Sequence, residues 1–354
     1  MHISGLGTAV PAACYTQAQC WDALQETPQF GQLDRRARAM LQKVLLGDSG
    51  IETRHLALDP LAEVFDNHPD VLHARYARHA PLLASRAAVQ ALEESGVRAC
   101  DIDAVLISTC TGYLCPGLTS YVSERLGLGS GVLALDLVGQ GCGAALPNLA
   151  AADALLASGR CEAVLSICVE VCSAAYYLDN DPGVLVSACL FADGAGAAVL
   201  TATPLPRTRS VEWVASASLH ATHERDALRF EQREGLLRNV LTPQVPRLAA
   251  EYARRVLDDM LPRARVPRAA IDTWVWHAGG KRVLEAVREA LELEPEDMAV
   301  SREALRAYGN MSSACVYFVL KRALRERLHG GWWWMSSFGA GFSCHGALLR
   351  VAGG

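Results

Sequence analysis

The sequence predicts an α/β fold, and two features carry that prediction. Short apolar runs rich in Val, Ile and Leu alternate along the chain with alanine-rich amphipathic segments of helical length. The apolar runs are continuous, as strands are when helices cover both faces of a sheet. With 354 residues, 51% of them hydrophobic and 20% charged, the chain can also bury a large core.

The first half of the chain contains three predicted helices and four predicted strands. In chain order these are a helix at 82–95, a strand at 104–108, a helix at 119–126, a strand at 132–138, a helix at 144–158 and strands at 163–169 and 197–200. The strands are bounded runs of small and β-branched apolar residues, whereas the helices mix alanine with polar residues. We expect the strands to form the centre of the fold.

The second half repeats the pattern. It contains predicted helices at 245–261, 281–291 and 312–328 and predicted strands at 273–276 and 331–335. Two prolines and several polar residues in the segment 201–208 mark the boundary between the halves. We therefore expect an N-terminal unit of residues 1–205 and a C-terminal unit of residues 206–354, of similar composition.

Composition excludes several classes of protein. The net charge of −5 gives no electrostatic reason to expect a nucleic-acid partner. Several of the twelve cysteines lie in apolar strand-like runs, so we expect no disulfide framework. The N-terminus lacks the pattern of a signal peptide, and no run approaches the ~20 apolar residues that span a bilayer. We expect a cytoplasmic protein without a membrane segment.

Cys142 is the first candidate for a catalytic residue. It stands between Gly141 and Gly143, at the turn from the predicted strand 132–138 to the predicted helix 144–158. We expect a thiol on such a turn to be exposed and to feel the positive end of the helix, and both conditions lower its pKa. The sequence therefore predicts a thiolate nucleophile, although close packing of helix and sheet would also account for the glycines.

Two further polar residues lie at the ends of predicted elements. His277 follows the strand 273–276, and α/β folds bind ligands at the carboxyl ends of strands. Asn310 precedes the helix 312–328, where helix capping is the alternative role. Each alone could be a hydrogen-bonded structural residue. Together with Cys142 they point to acyl transfer or carbon–carbon bond formation.

Several strings of the sequence carry a resemblance to a known family. They are Gly-Gln-Gly-Cys at 139–142, Trp-His-Ala-Gly-Gly at 276–280, Tyr-Gly-Asn-Met-Ser-Ser-Ala at 308–314, Leu-Phe-Ala-Asp-Gly-Ala-Gly-Ala at 190–197 and Phe-Gly-Ala-Gly at 338–341. With their spacing, these strings closely resemble the type III polyketide synthases, the chalcone synthase-like enzymes, over essentially the whole chain. The resemblance implies a thiolase-like fold, with two similar βαβαβ halves in a five-layer αβαβα sandwich, and a homodimer.

The resemblance also implies a reaction. Cys142 would take an acyl starter from coenzyme A as a thioester, with His277 paired to its thiolate. His277 and Asn310 would donate hydrogen bonds to the thioester oxygen of malonyl-CoA and stabilise the enolate formed on decarboxylation. Rounds of two-carbon extension would precede cyclisation to a pyrone, a resorcinol or another phenolic product. The substrates would be coenzyme A thioesters, with an acyl carrier protein as an alternative donor, and no cofactor or metal is implied.

The same resemblance assigns substrate-binding residues. Phe191 falls at the gate between the coenzyme A tunnel and the cavity, although a core Phe before a tight turn is the alternative. The other cavity positions are Cys110, Thr111, Ala175, Ser312, Phe338 and Gly339. Cys115 falls where the family sends a side chain across the dimer interface. Since several of these side chains are smaller than in plant members, we expect a roomier or differently shaped cavity that admits a long acyl chain.

Three positions depart from the plant enzymes. The second gatekeeper, a Phe in plants, aligns near Arg238 or Asn239, so we do not expect an aromatic gate there. Residues 277–280 read His-Ala-Gly-Gly in place of His-Pro-Gly-Gly, and residues 337–341 read Ser-Phe-Gly-Ala-Gly in place of Gly-Phe-Gly-Pro-Gly. These departures indicate a bacterial-type member.

Coenzyme A carries phosphates, which basic residues at the mouth of a tunnel would bind. Arg54 and Lys281 are the candidates, with Gly279 and Gly280 beside the His277 loop. Surface salt bridges would explain both cations equally well.

Rival functions remain open at this point. A single-round ketoacyl synthase III-like enzyme or an acyltransferase would use the same three residues, but it usually carries a His-Gln-Ala-Asn-type string. A thiolase would need a second cysteine near the C-terminus, and we interpret Cys344 as a core residue of the last strand. A hydroxymethylglutaryl-CoA synthase would add a catalytic Glu, and we interpret Glu170 as structural.

Two other classes of protein are disfavoured. A non-catalytic subunit of the same fold tends to lose the Cys or the His, and this chain has all three residues. A cysteine–histidine metal site would show Cys-x-x-Cys or His-x₃-His spacing, and neither occurs.

Overall fold

The computed structural model of the chain describes residues 1–58, 60–206, 209–326 and 329–353. Within these ranges the chain forms a nine-stranded mixed sheet, two small two-stranded sheets and eleven α-helices. The predicted α/β class is confirmed. No helix in these parts of the chain is long and apolar enough to cross a membrane.

The elements are numbered here in chain order. The strands are β1 (His2–Ala9), β2 (Cys14–Thr16), β3 (Thr53–His55), β4 (Ala104–Ser108), β5 (Leu133–Leu137), β6 (Ala163–Glu170), β7 (Gly194–Thr201), β8 (Val211–His220), β9 (Leu228–Arg233), β10 (Leu236–Leu241), β11 (Ile271–Trp276), β12 (Gly331–Gly339) and β13 (Ser343–Val351). The helices are α1 (Gln17–Gln25), α2 (Pro28–Gln32), α3 (Arg35–Leu45), α4 (Pro69–Ser95), α5 (Leu118–Leu126), α6 (Ala145–Ala157), α7 (Pro182–Leu190), α8 (Val245–Ala264), α9 (Lys281–Ala290), α10 (Ala299–Tyr308) and α11 (Cys315–Arg325).

The large sheet has the order β11-β12-β13-β8-β1-β7-β6-β4-β5. Its strands from the first half of the chain lie together on one side, and those from the second half lie together on the other. The two groups meet between β1 and β8, where His2 pairs with Glu212. The boundary at residue 205 stays a prediction, and residues 207 and 208 of the expected linker lie outside the described residues.

Helices form three layers around the two groups of strands. The central layer is α6 and α11: α6 packs against β4 and β6 but also against β12 and β13, and α11 packs against β1 and β7 but also against β11 and β12. One outer layer, α4 and α5, covers the first group, and the other, α8 with α9, covers the second. The arrangement is therefore the expected αβαβα sandwich.

Alanine is what allows α6 to lie in the central layer. Ala145 and Ala152 are fully buried together with Leu149, and small side chains let strands approach the helix from both sides. Asn148 of the same helix is also fully buried, and its amide donates to Ser108 Oγ over 2.9 Å. The central layer thus anchors the turn that precedes α6.

The predicted strands and helices agree with the structure to within a few residues, apart from two helices. The helix expected at 82–95 is the second half of the longer α4. The helix expected at 312–328 starts as a 3-10 turn, Ser312–Ala314, and continues as α11; its expected end at Leu328 lies outside the described residues. The strands β1 and β8 and the hairpin of β9 and β10 were not predicted.

The environment of β5 differs from the expectation. A strand covered on both faces was predicted, but β5 is the edge strand of the sheet, paired on one side with β4. Leu133 is 42% exposed and Val138, just after the strand, is 63% exposed. The apolar run was interpreted as buried because sequence alone does not show whether a strand is central or at an edge.

Candidate active site

Cys142 lies in a single 3-10 turn, Gly141–Gly143, between β5 and α6. Gly141 has a φ of +57°, and a Cβ there would lie 2.9 Å from the Cβ of Ala340. A Cβ on Gly143 would lie 2.9 Å from the Cα of Gly339. The two glycines therefore let the turn pack directly on the loop between β12 and β13, where side chains would not fit.

The structure contradicts two expectations for Cys142, that its thiol is exposed and that its pKa is lowered. Cys142 is 9% exposed, and burial raises its pKa to about 12. The Ser312 hydroxyl donates to Cys142 Sγ over 3.2 Å, which lowers the pKa only in part. The prediction was wrong because the cost of removing a thiolate from water exceeds the benefit of the helix end. At neutral pH the side chain is a thiol.

His277 lies directly after β11, and its backbone N–H donates to the Ser336 carbonyl over 2.9 Å. The side chain is 3% exposed, and burial lowers its pKa to about 4, so the ring is neutral at neutral pH. Its Nδ1 is buried and makes no hydrogen bond within the described structure. Because a buried N–H without a partner is costlier than a free lone pair, the neutral ring carries its proton on Nε2. The ring is thus a hydrogen-bond donor at Nε2.

Asn310 lies between α10 and the 3-10 turn Ser312–Ala314. Its Nδ2 donates to the Gly279 carbonyl over 3.0 Å, and its Oδ1 accepts from the Ser312 N–H over 2.8 Å. The capping role considered from the sequence is therefore present. One N–H of the amide remains for a further acceptor.

The hydrogen bonds connect the three loops into one site. Cys142 is bonded to Ser312, Ser312 to Asn310, and Asn310 to Gly279, two residues after His277. Ser312 has a φ of +50°, which a residue other than glycine rarely adopts. Such strained backbone is concentrated at functional sites.

Glu170, at the end of β6, is fully buried beside this chain of bonds. It accepts hydrogen bonds from the Thr111 hydroxyl at 2.9 Å, from the Cys110 N–H at 3.0 Å and from the Ser313 hydroxyl. Burial raises the pKa of its carboxyl. The interpretation of Glu170 as a structural hub fits these contacts.

Cys110 and Ser312 bring predicted cavity positions next to the nucleophile. Cys110 Sγ lies 3.3 Å from the Ser312 hydroxyl, which in turn contacts Cys142. Burial also raises the pKa of the Cys110 thiol. The sulfurs of two cysteines therefore both lie within hydrogen-bond distance of one serine hydroxyl.

Phe191 follows α7 and forms a bridge with Asn310. The Asn310 N–H donates to the Leu190 carbonyl, and the Ala192 N–H donates to the Asn310 carbonyl, each over 2.9 Å. Phe191 also belongs to the apolar cluster that contains Cys142. The predicted gate residue therefore belongs to the same apolar cluster as the candidate nucleophile.

Five buried members of that cluster were not identified from the sequence: Leu56, Leu58, Val64, Cys172 and Tyr176. Cys172 lies in the 3-10 turn after β6, and Tyr176 directly follows that turn. Both are buried in the same cluster as Cys142 and Phe191. A signal was present, because Ala175 in the same turn was singled out. Ala175 itself is half-buried.

The remaining predicted cavity residues lie in three different environments. Phe338 is in the main core, stacked on Trp276 with ring centroids 6.4 Å apart. Gly339 packs against the backbone of Gln140 and Gly143, so it supports the turn that holds Cys142. Cys115 is exposed.

The coenzyme A assignment of Arg54 does not fit the structure. Arg54 is 3% exposed, and its Nε and Nη1 donate within the protein to Gln17, Ala188, Phe191 and Tyr176. The spacing of charges in a sequence does not show that a cation is buried. Lys281 does lie at the surface, where it pairs with Asp48 and, over 3.8 Å, with Glu285.

Polar contacts occupy the position of the second gatekeeper. Arg238 pairs with Asp181 over 2.6 Å and with Glu231 over 2.9 Å. The buried Asn239 donates to the Ser187 hydroxyl over 2.9 Å. These contacts tie the β9–β10 hairpin to α7.

The structure bears on the thiolase alternative and on the residues available to a metal ion. Cys344 is fully buried in β13 within the main core, so its interpretation as a core residue is confirmed. Among the described residues, no group of three or more His, Cys, Asp or Glu could hold a metal ion.

The chain is similar to known proteins over almost its whole length. Residues 13–228 match the model of the FAE1/type III polyketide synthase-like proteins, and residues 220–352 match that of the C-terminal domain of chalcone and stilbene synthases. The chain is 31% identical to a 3,5-dihydroxyphenylacetyl-CoA synthase of Streptomyces toyocaensis, over 99% of this chain and 90% of the relative. It is 30% identical to an enzyme of the same name from Amycolatopsis balhimycina, over 99% and 92%.

Solved structures show the same fold. PKS-I of the brown alga Ectocarpus siliculosus superposes with a TM-score of 0.90 at 24% identity, covering 99% of this chain and 97% of the other. The 1,3,6,8-tetrahydroxynaphthalene synthase of Streptomyces coelicolor A3(2) superposes with a TM-score of 0.87 at 23% identity, covering 99% of both.

Fold and site together define a condensing enzyme of the thiolase-like class. Within that class, the chain belongs to the type III polyketide synthases, the family of the chalcone and stilbene synthases.

Proposed function

We propose that the chain loads an acyl starter from a coenzyme A thioester onto Cys142, extends it by decarboxylative condensation with malonyl-CoA and cyclises the product to a pyrone, a resorcinol or another phenol. The observation that carries the proposal is the chain of hydrogen bonds from Cys142 through Ser312 and Asn310 to the His277 loop. It links the Cys142 thiol through Ser312 to the Asn310 amide and to the Gly279 carbonyl, two residues after His277.

Loading exchanges one thioester for another. Cys142 Sγ bonds to the acyl carbon, the bond from that carbon to the coenzyme A sulfur breaks, and the thiol proton leaves with coenzyme A. Because burial keeps Cys142 protonated at neutral pH, a thiolate forms only when a neighbouring donor stabilises it. The Ser312 hydroxyl and the Nε2–H of His277 are the groups that fill this role.

Condensation places a negative charge on an oxygen. Loss of CO₂ from malonyl-CoA leaves an enolate, whose carbon attacks the acyl carbon on Cys142 and releases the thiolate. The Nε2–H of His277 and the free N–H of Asn310 are two donors for the enolate oxygen. Donors that are fixed in advance in a buried site stabilise such a charge more than water does.

The relatives support a resorcinol-type product. Their name describes a ring with hydroxyl groups at positions 3 and 5 and a coenzyme A thioester. We propose acyl-CoA and malonyl-CoA as the substrates of this chain, with a carrier-protein thioester as the alternative donor. The scheme requires no metal and no redox cofactor. Lys281, Gly279 and Gly280 remain the proposed contacts of coenzyme A.

We also propose a homodimer in the cytoplasm. Leu133 in the edge strand β5 and Val138 just after it are exposed apolar side chains. Tyr113 is 70% exposed, and Cys115, two residues further on, is also exposed. A second copy covering this edge would remove both the apolar surface and the unpaired strand edge. All twelve cysteines are free, as is usual in a reducing compartment.

Intact mass after incubation with an acyl-CoA tests the nucleophile. The purified protein should gain the mass of one acyl group, and the Cys142→Ala variant should gain none. Cys100→Ala is the matched control, because Cys100 is an exposed free thiol and its loss should leave the adduct unchanged. An acyl adduct that persists in Cys142→Ala would contradict the proposal.

The products distinguish the proposed function from the single-round ketoacyl synthase III-like alternative. Exactly one two-carbon extension with every starter, including carrier-protein thioesters, would favour that alternative. Products with two or more extensions and a closed ring would support the proposed function.

A further inference from the structure

The C-terminal end of α7 is held by two buried polar side chains. The last carbonyls of a helix have no partner within the helix. Here Arg54 Nη1 donates to the carbonyls of Ala188 at 2.7 Å and Phe191 at 3.0 Å, and Gln17 Nε2 donates to the carbonyl of Cys189 at 3.0 Å. The Gln17 amide oxygen in turn accepts from Arg54 Nε at 2.9 Å.

The negative end of α7 explains why the guanidinium can be buried. Arg54 is 3% exposed, and none of its hydrogen bonds among the described residues goes to a carboxylate. A helix C-terminus carries about half a negative charge, which suits a cation. Arg54 is thus committed to the end of this helix.

The Phe191 carbonyl receives a second donor. The Tyr176 hydroxyl donates to it, and that hydroxyl accepts from Arg54 Nη1 over 3.2 Å. We call Arg54 and Tyr176 the carbonyl clamp. On the other side of the same segment, the Asn310 backbone pairs with Leu190 and Ala192. The clamp therefore fixes both Phe191 and the backbone of Asn310.

A cavity lies behind the clamp. It has a volume of about 40 Å³ and is lined by Arg54 and Tyr176 together with apolar side chains that include Leu41, Leu45 and Leu56. Leu56 and Tyr176 also belong to the apolar cluster around Cys142.

We propose that Arg54 and Tyr176 are positioning residues that hold Phe191 beside Cys142 and thereby set which acyl starters the site accepts. The inference rests on the proposed function. It predicts that loss of a hydrogen bond to the Phe191 carbonyl lets the Phe191 side chain change position, so longer acyl chains become better substrates relative to short ones.

The test compares short and long starters in the full-length protein. For the wild type, Tyr176→Phe and Arg54→Lys, the kcat/KM of Cys142 acylation is measured with hexanoyl-CoA and dodecanoyl-CoA. Tyr176→Phe removes only the hydroxyl, so we expect an unchanged melting temperature and a rise of at least threefold in the dodecanoyl-to-hexanoyl ratio. Tyr252→Phe is the matched control, because the Tyr252 hydroxyl contacts His223, and its ratio should not change.

A Phe191→Ala protein distinguishes an effect on the position of Phe191 from a general loosening of the structure around the site. If the clamp acts through the Phe191 ring, Tyr176→Phe should have no effect on the ratio in a Phe191→Ala protein. An unchanged ratio in Tyr176→Phe, or an equal change in the Phe191→Ala background, would overturn the inference while Cys142 acylation still supports the proposed function. Absence of any acyl adduct in the wild type would instead contradict the proposed function and the inference with it.

Discussion

At the scale of single residues, burial disfavours the charged forms of both Cys142 and His277. Burial raises the pKa of Cys142 to about 12 and lowers that of His277 to about 4. The sequence identified both residues, because motif and position are local properties. It could not predict their protonation, because that depends on how completely distant parts of the chain remove them from water.

The hydroxyl of Ser312 should matter for reactivity. Its hydrogen bond to Cys142 Sγ favours the thiolate, so Ser312→Ala should raise the pKa of Cys142 further. A hydrogen bond to a charged group contributes about 1.5 kcal/mol, so we expect a rise of about one unit and a loss of about tenfold in kcat/KM. The pH profile of Cys142 alkylation, followed by mass spectrometry, measures the shift.

Ser4→Ala is the control for that experiment. Ser4 is a buried serine whose hydroxyl pairs with Thr201 in the sheet, away from the site. Its loss should leave the alkylation profile unchanged. An unchanged profile in Ser312→Ala would show that the hydrogen bond does not stabilise the thiolate.

The buried histidines should make stability depend on pH. His277 and His345 each have a pKa lowered to about 4 by burial, in His345 with a contribution from His220, so the folded protein binds fewer protons than the unfolded chain between pH 4 and 6.5. Stability is therefore full above pH 6.5 and is lost as the pH falls toward 4. The lowered pKa of His277 corresponds to about 3 kcal/mol over that window.

Urea unfolding at several pH values from 7.5 to 4.5 measures this dependence. We expect the midpoint of the wild type to fall on acidification, and to fall less steeply in His277→Gln, which has no imidazole to protonate. Equal slopes in the two proteins would mean that His277 is not buried in its neutral form.

At the scale of elements, the turn before α6 positions the nucleophile. The glycines could be interpreted from the sequence, since Gly at the ends of helices and strands marks tight turns. The partner of that turn, the loop between β12 and β13, could not be predicted, because it comes from the other half of the chain. The hairpin of β9 and β10 could not be predicted for the same reason. Its residues alternate only weakly between apolar and polar, and it is stabilised by contacts with α7.

The Gly141→Ala variant tests the close packing of this turn. A methyl group there meets Ala340 and also requires an unfavourable positive φ, so we expect a displaced Cys142 and a loss of activity of at least tenfold. Gly159→Ala is the matched control. Gly159 has a φ of +71°, but a Cβ there would meet no atom within 4 Å, so Gly159→Ala costs only the backbone strain of about 1–2 kcal/mol.

Activity and thermal unfolding of both variants give the comparison. We expect both to lose some stability but only Gly141→Ala to lose most of its activity. Equal losses of activity would mean that the contact with Ala340 does not position Cys142.

At the scale of the whole molecule, the sandwich explains where the site lies. The central helices begin next to the site: Cys142 precedes α6, and Ser312 precedes α11. The fold class followed from the alternation of apolar runs and helices. The exposure of β5 did not, because an edge strand and a central strand have similar sequences.

The exposed edge leads to a prediction about assembly. Replacement of Leu133 by Lys places a charge in the apolar surface at β5, so we expect Leu133→Lys to shift a dimer toward monomer in sedimentation velocity. Val89→Lys is the control, because Val89 is 42% exposed on α4 and its replacement should leave the dimer intact. A monomeric wild type, or a Leu133→Lys variant that stays dimeric, would contradict this interface.

The central claim is that this chain performs repeated decarboxylative condensation on Cys142. The most direct measurement is the mass spectrum of the products formed from malonyl-CoA and a panel of acyl-CoA starters. We expect cyclic products with at least two extensions from the wild type and none from Cys142→Ala. Condensed products from Cys142→Ala at the rate of the wild type would contradict the claim.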